Sequence, residues 1–257
     1  MVADVLLGFL AGVGIAAITA PVGVSGAVFL LPIQLSVLHV PNPAVTPTNL
    51  LYNVIAGPGA LIKYRRSGQL TGRLTGQLLA GTVPGVMIGA AIRVFVLPGA
   101  RSFRIVAGLV LLAIGVWLIW RTIRRQPTDR PPSSRALFAL ALGVGVVGGV
   151  YGIGGGSILS PILVGSGMAV AAVAPAALAS TFVTSIVGAL TYAVLAVFAE
   201  GSIAPDWTIG IACGLGGLVG GYLGARLQPH LPEQALKLLL GCLAVGIAAL
   251  YLVQGLA

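Results

Sequence analysis

GVSGAVFLLP at residues 23–32 and GIGGGSILSP at residues 152–161 are the stretches on which the reading of this chain turns. Gly23, Gly26 and Pro32 of the first match Gly152, Gly155 and Pro161 of the second, position for position, and Val24 stands where Ile153 does. Each stretch interrupts an apolar run. Glycine lets a backbone leave the helix and approach a ligand closely, and the segment that follows presents a helix N-terminus, which attracts an anion. Interrupted segments at matching places in two halves of a membrane chain point to a transport site; the plainer reading is close helix packing.

Outward from these breaks the landmarks keep their order. Gly85 and Gly89 correspond to Gly220 and Gly224, then Arg104 and Gly108 to Lys237 and Gly241. A duplicated unit is the economical explanation. The only linker-like stretch, QPTDRPPSSR, separates a membrane repeat at 1–125 from a second at 136–257, with 126–135 between them. Each half reads as five segments, at 5–20, 27–38, 45–62, 74–96 and 103–123, then at 136–150, 158–168, 173–198, 207–227 and 235–252. The second segment of each half is too short to cross about 30 Å of hydrocarbon as a helix.

Composition places the whole chain in a bilayer. Of 257 residues, 58% are hydrophobic and 7% charged, against about 25% charged in soluble domains. The net charge of +9 sits in clusters between apolar segments, at Lys63, Arg65, Arg66 and Arg73 and again from Arg121 to Arg135. That is the pattern of a topology signal and not of a nucleic-acid surface, so no nucleic-acid partner is expected. The first apolar run has no basic residue before it and reads as a retained segment. The fold class expected is an all-α membrane protein of two related halves. If each half makes five passes, the halves insert upside down relative to each other and most basic residues fall on one side, which favours an inverted repeat. Residues 63–73 and 126–135 are then cytoplasmic and 201–205 outside.

Polar side chains gather on the third segment of each half: Thr46, Thr48, Asn49, Tyr52 and Asn53, then Ser180, Thr181, Thr184, Ser185 and Tyr192. Positions 49, 52 and 53, like 181, 184 and 185, share a helical face. They either donate to a bound anion without charge or hydrogen-bond between helices. Gln34, two residues past Pro32, is a further candidate. The four-residue ladders Gly81, Gly85, Gly89 and Gly216, Gly220, Gly224 read as packing seams. Trp117, Trp120 and Tyr251 read as interfacial anchors, and Cys213 and Cys242 as small packing residues. No Asp or Glu lies in the middle of an apolar segment, so a carboxylate relay or carboxylate-bound sodium is not expected. No HExxH occurs and no nucleophile is flanked by a base, so neither an enzyme, a catalytic residue, a cofactor nor a metal is expected.

With these residues in view, the chain resembles the sulfite exporter TauE/SafE family of membrane permeases, within the four-toluene sulfonate uptake permease superfamily. The resemblance rests on the two glycine motifs, on TNLL at 48–51 and STFV at 180–183, on YRRSGQL at 64–70, and on the glycine ladders. It implies a bacterial cytoplasmic-membrane carrier of small sulfur-containing anions such as sulfite, thiosulfate or sulfoacetate. Carried over by position, it implies contact by Gly23, Ser25, Gly26, Gly154, Gly155, Gly156 and Ser157, with Thr48, Asn49, Ser180 and Thr181 nearby; Asn53 is a candidate from its helical face alone. The first motif departs from the pattern, with Ser25 and Ala27 where the second half has Gly154 and Gly156. The expected partners are that anion and the lipid bilayer, with a homo-oligomer left open, and a passive anion channel and a non-transporting scaffold subunit are the competing readings.

Overall fold

The computed structural model describes residues 2–41, 44–70, 72–95, 101–124, 132–197 and 204–256. Among them the chain forms ten α-helices and no strand. The first five are α1 (Val2–Thr19), α2 (Ala27–Ser36), α3 (Val45–Arg66), α4 (Arg73–Phe95) and α5 (Arg101–Ile123). The second five are α6 (Ser134–Tyr151), α7 (Gly156–Gly165), α8 (Val170–Leu195), α9 (Trp207–Leu227) and α10 (Glu233–Leu256). Uninterrupted apolar sequence makes them helical, since a backbone in hydrocarbon must satisfy its polar groups within its own segment. Polar side chains mark the starts: Ser133 Oγ accepts the Ala136 N–H at 3.3 Å and Asp206 that of Ile209 at 3.0 Å.

Six helical stretches among the described residues are long and apolar enough to cross a membrane, and the protein is a multi-pass membrane protein. The third segment runs to Arg66 and not to residue 62, so the basic cluster forms the last turn of α3, where cations complement the helix dipole. Helices α2 and α7 have 10 residues each and reach about 15 Å, half the hydrocarbon core.

Helices pack in pairs that exchange when the halves are exchanged. The α1–α9 pair has its counterpart in α6–α4, α3–α9 in α8–α4, α2–α3 in α7–α8, and α2–α10 in α7–α5. The α3–α8 and α5–α10 pairs map onto themselves. The glycine ladders are the seams of the first of these. A Cβ on Gly85 or Gly89 would overlap the carbonyls of Leu142 or Val146 in α6, and one on Gly216 or Gly220 those of Phe9 or Val13 in α1. Backbones touch there because no side chain intervenes.

Two expectations need correction. Tyr251 is no interfacial anchor: it is buried and donates its hydroxyl to the Val28 carbonyl at 3.3 Å, tying α10 to α2. Cys213 is buried as a packing residue, but Cys242 is exposed on the outer face of α10. Positions 126–131 of the linker and 201–203 of the expected outer loop lie outside the described residues.

Candidate functional site

The site starts from two chain reversals. After α1 a short 3-10 turn, Ala20–Val22, ends at Gly23 with φ +75°, and α2 begins four residues later. After α6 the chain turns left-handed twice, at Gly152 with φ +68° and Gly154 with φ +71°, before α7. L side chains are strained in that region, which is why glycine occupies it.

Breaking a helix strands carbonyls, and in a membrane each needs a partner. Tyr64 donates to Ala20 O at 3.1 Å, and Tyr192 donates to Gly149 O at 3.0 Å. Those carbonyls stand three residues before Gly23 and Gly152, so the same place in each break is closed by a tyrosine. Gln228 Nε2 reaches Pro21 O at 2.6 Å, and the Ser160 hydroxyl donates to Val22 O.

The two breaks then meet. Ser25 donates its backbone N–H to Ser157 Oγ at 3.1 Å and its hydroxyl to Asn53 Oδ1. Asn53 in turn donates Nδ2 to Gly152 O at 3.2 Å. Thus one asparagine of α3 bridges residues 28 and 99 positions away. The helix starts are partly satisfied from within: Ala27 N–H donates to Ser25 Oγ at 3.2 Å and Gly155 N–H to Thr184 Oγ1 at 3.2 Å. Behind Gly155, Thr184 donates to Ser180 O at 2.6 Å and Thr82 shares a 2.9 Å hydroxyl contact with Ser180.

Beside the first break lies a cavity with about 30 Å³ of room for the centres of water-sized spheres. Thr19, Ser25, Gly26, Tyr52, Asn53 and Thr181 supply its polar and close-backbone lining. Among the described residues no Lys, Arg, Asp or Glu lines it. The hydroxyls of Thr19 and Thr181 are buried without a hydrogen-bond partner. A buried polar atom in that state costs about 1–3 kcal/mol, so donors without acceptors beside a cavity suit a ligand or water.

The structure brings Gly23, Ser25, Gly26, Asn53, Gly154, Gly155, Gly156, Ser157, Ser180 and Thr181 to the two breaks. Asn49, one turn before Asn53, is buried with both amide atoms unpaired. Thr48 stands apart: its hydroxyl donates to Ala44 O at 2.7 Å and accepts the Asp206 N–H at 2.9 Å, fastening the start of α9. Gln34 is buried near Cys213 with no hydrogen bond of good geometry and does not line the cavity.

The glycines also differ from expectation. A Cβ on Gly26 would overlap the Tyr52 hydroxyl, and one on Gly155 would meet Thr82 Cγ2 at 2.7 Å, so these glycines admit neighbouring side chains and not open space. Sequence reasoning missed Thr19 and Thr82. Thr82 had one signal, a lone hydroxyl between Gly81 and Gly85 in an apolar run, whereas nothing local sets Thr19 apart.

Comparison with known proteins bears on the same arrangement. No curated protein and no solved structure matches the chain. The sulfite exporter TauE/SafE family matches residues 7–252, which span both breaks, both glycine ladders and all ten helices in part or whole. This multi-pass membrane protein, with its two glycine breaks closed on each other, therefore belongs to the sulfite exporter TauE/SafE family of membrane transporters.

Proposed function

We propose that the protein is a secondary carrier of small sulfur-containing anions, sulfite, thiosulfate or an organosulfonate such as sulfoacetate, and that the anion binds between the two breaks. The observation that carries this reading is the set of unpaired neutral hydroxyls, Thr19 and Thr181, around a cavity bounded by Ser25, Gly26 and Asn53. Neutral donors and helix ends of about half a charge each hold an anion weakly, with affinities from micromolar to millimolar, about 4 to 8 kcal/mol. A carrier needs that weakness to release its load. Alternating access opens such a site to one side of the membrane at a time. The bonds from Ser25 to Ser157 and from Asn53 to Gly152 are the contacts that opening would break. Closure of this kind favours a carrier over a permanently open channel.

The test is a stability screen of the purified protein against sulfite, thiosulfate, sulfoacetate, sulfate, taurine and chloride, followed by uptake into proteoliposomes. A ligand of the native state raises apparent stability. One sulfur anion should raise the melting temperature and saturate in uptake. No response to any anion would point to a scaffold, and flux without saturation to a channel.

The same proposal includes an inverted repeat, supported by the exchange of helix pairs between halves and by the clustering of basic residues. In a background lacking Cys213 and Cys242, a cysteine at Ser202 should label from outside and one at Ser133 should not. Labelling of both from one side overturns the inverted arrangement.

A further inference from the structure

Thr19 and Thr181 keep their unpaired hydroxyls beside the cavity of the first break, but the amide of Asn49 and the hydroxyl of Ser185, buried and likewise unpaired, do not line it. Aligning TNLL with STFV sets Asn49 against Thr181 and Asn53 against Ser185. At the first break the cavity takes Asn53 from its own half and Thr181 from the other. Exchanging the halves turns that pair into Ser185 and Asn49 at the second break.

The structure puts both residues there. Thr46 and Asn53, which flank Asn49 on one face of α3, both meet Gly152: a Cβ on Gly152 would overlap the Thr46 carbonyl, and Asn53 donates to the Gly152 carbonyl. On α8, Ser185 shares a face with Thr181 and Gly188. A Cβ on Gly154 would meet Thr181, and one on Gly188 would meet the side chain of Leu50, the neighbour of Asn49. Asn49 and Ser185 therefore approach the second break from the two helices, α3 and α8, that cross at the centre of the molecule.

Building on the carrier reading, on which this site depends, we propose that the second break holds a second site for a small oxyanion, with the Asn49 amide and the Ser185 hydroxyl as its donors, so that one chain binds two anions. A buried amide and hydroxyl without partners are costly, and in hydrocarbon no water repairs the loss, so a ligand is what completes them. Both groups are neutral donors, as at the first break, and the amide offers two N–H groups. The two sites stand apart along α3. Phe182, next to Thr181, is what a Cβ on Gly57 would meet, and from Asn49 to Gly57 the helix rises about 12 Å. At an effective dielectric constant of about 20, repulsion between single charges at that distance weakens the second binding step about ten-fold.

Equilibrium dialysis of the purified full chain against radiolabelled sulfite, thiosulfate and sulfoacetate, each taken to saturation, counts the anions bound. For at least one of them the count should be two per chain, with the second step about ten-fold weaker. Asn49→Ala with Ser185→Ala should reduce it to one, and so should Thr19→Val with Thr181→Val; all four together should leave none. Each substitution removes an atom that has no partner, so the melting temperatures should hold or rise. One anion per chain in the unsubstituted protein, or a count of two that survives Asn49→Ala with Ser185→Ala, overturns the second site and leaves the carrier reading standing. Loss of both anions in that variant also overturns it, since the two residues then serve a common site. No bound anion of any of the three overturns the carrier reading as well.

Discussion

The first and second breaks occupy equivalent places in the two halves, yet they solve the same problem differently. The second turns left-handed twice, at Gly152 and Gly154, and its backbone is packed tightly: a Cβ on Gly156 would overlap the Ala177 carbonyl, and one on Gly154 would meet Thr181 Cγ2 at 2.6 Å. The first turns left-handed at Gly23 only, and Ser25 stands where the second has Gly154. With φ outside the left-handed region, Ser25 carries a side chain, and that side chain reaches Asn53. The cavity lies on this side. The second half therefore supplies a tightly packed glycine turn and Thr181, and the first supplies most of the polar groups beside open space. The two breaks are similar in sequence, while single residue differences divide their tasks.

The sharpest way to break this comparison is to exchange the residues. Gly154→Ala places a side chain at φ +71° and against Thr181, so it should destabilise by about 2 kcal/mol or more. Ser25→Gly loses hydrogen bonds but meets no such clash, and should cost about 1–2 kcal/mol. Thermal unfolding in detergent checks both. If Gly154→Ala is the milder of the two, the second break is not the rigid one.

A second comparison lies on α3 and α8. Asn53 and Ser185 hold matching positions when TNLL is aligned with STFV, but Asn53 bridges both breaks whereas the Ser185 hydroxyl is buried without a partner. Asn53→Ala leaves Gly152 O unsatisfied and should cost about 1–3 kcal/mol; Ser185→Ala should be neutral or slightly stabilising. Equal losses in the two melting curves would remove the asymmetry.

The smallest change in stability is expected at Thr181. Replacing it with valine keeps the shape and removes a hydroxyl that has no partner, so the melting temperature should hold or rise. Anion affinity by calorimetry should nevertheless fall by about 1–2 kcal/mol, roughly ten-fold. Unchanged affinity would exclude Thr181 from the site and leave its burial unexplained. Asn49→Ala, read the same way, decides whether the unpaired amide one turn away belongs to it.

Much of this architecture was legible without coordinates. The segment expected at 207–227 is α9 residue for residue, and the ladders at Gly81 and Gly216 are the backbone seams that their spacing implied. Such features are local: hydrophobic length defines a span, and a four-residue glycine repeat defines a face, wherever the partner lies. The breaks were legible for the same reason, because glycine marks backbone that leaves the helix.

What only the tertiary structure decided is which polar group meets which. Asn53 and Asn49 look alike in sequence, yet one joins both breaks and the other is unpaired. Thr48 seemed to belong with them and instead fastens α9 through Asp206, 158 residues away. Tyr251 lay where an interfacial anchor is expected and turned inward to Val28. A side chain's role in a membrane depends on which stranded carbonyl or N–H comes within about 3 Å of it, and that is set by how ten helices pack, which no single segment encodes.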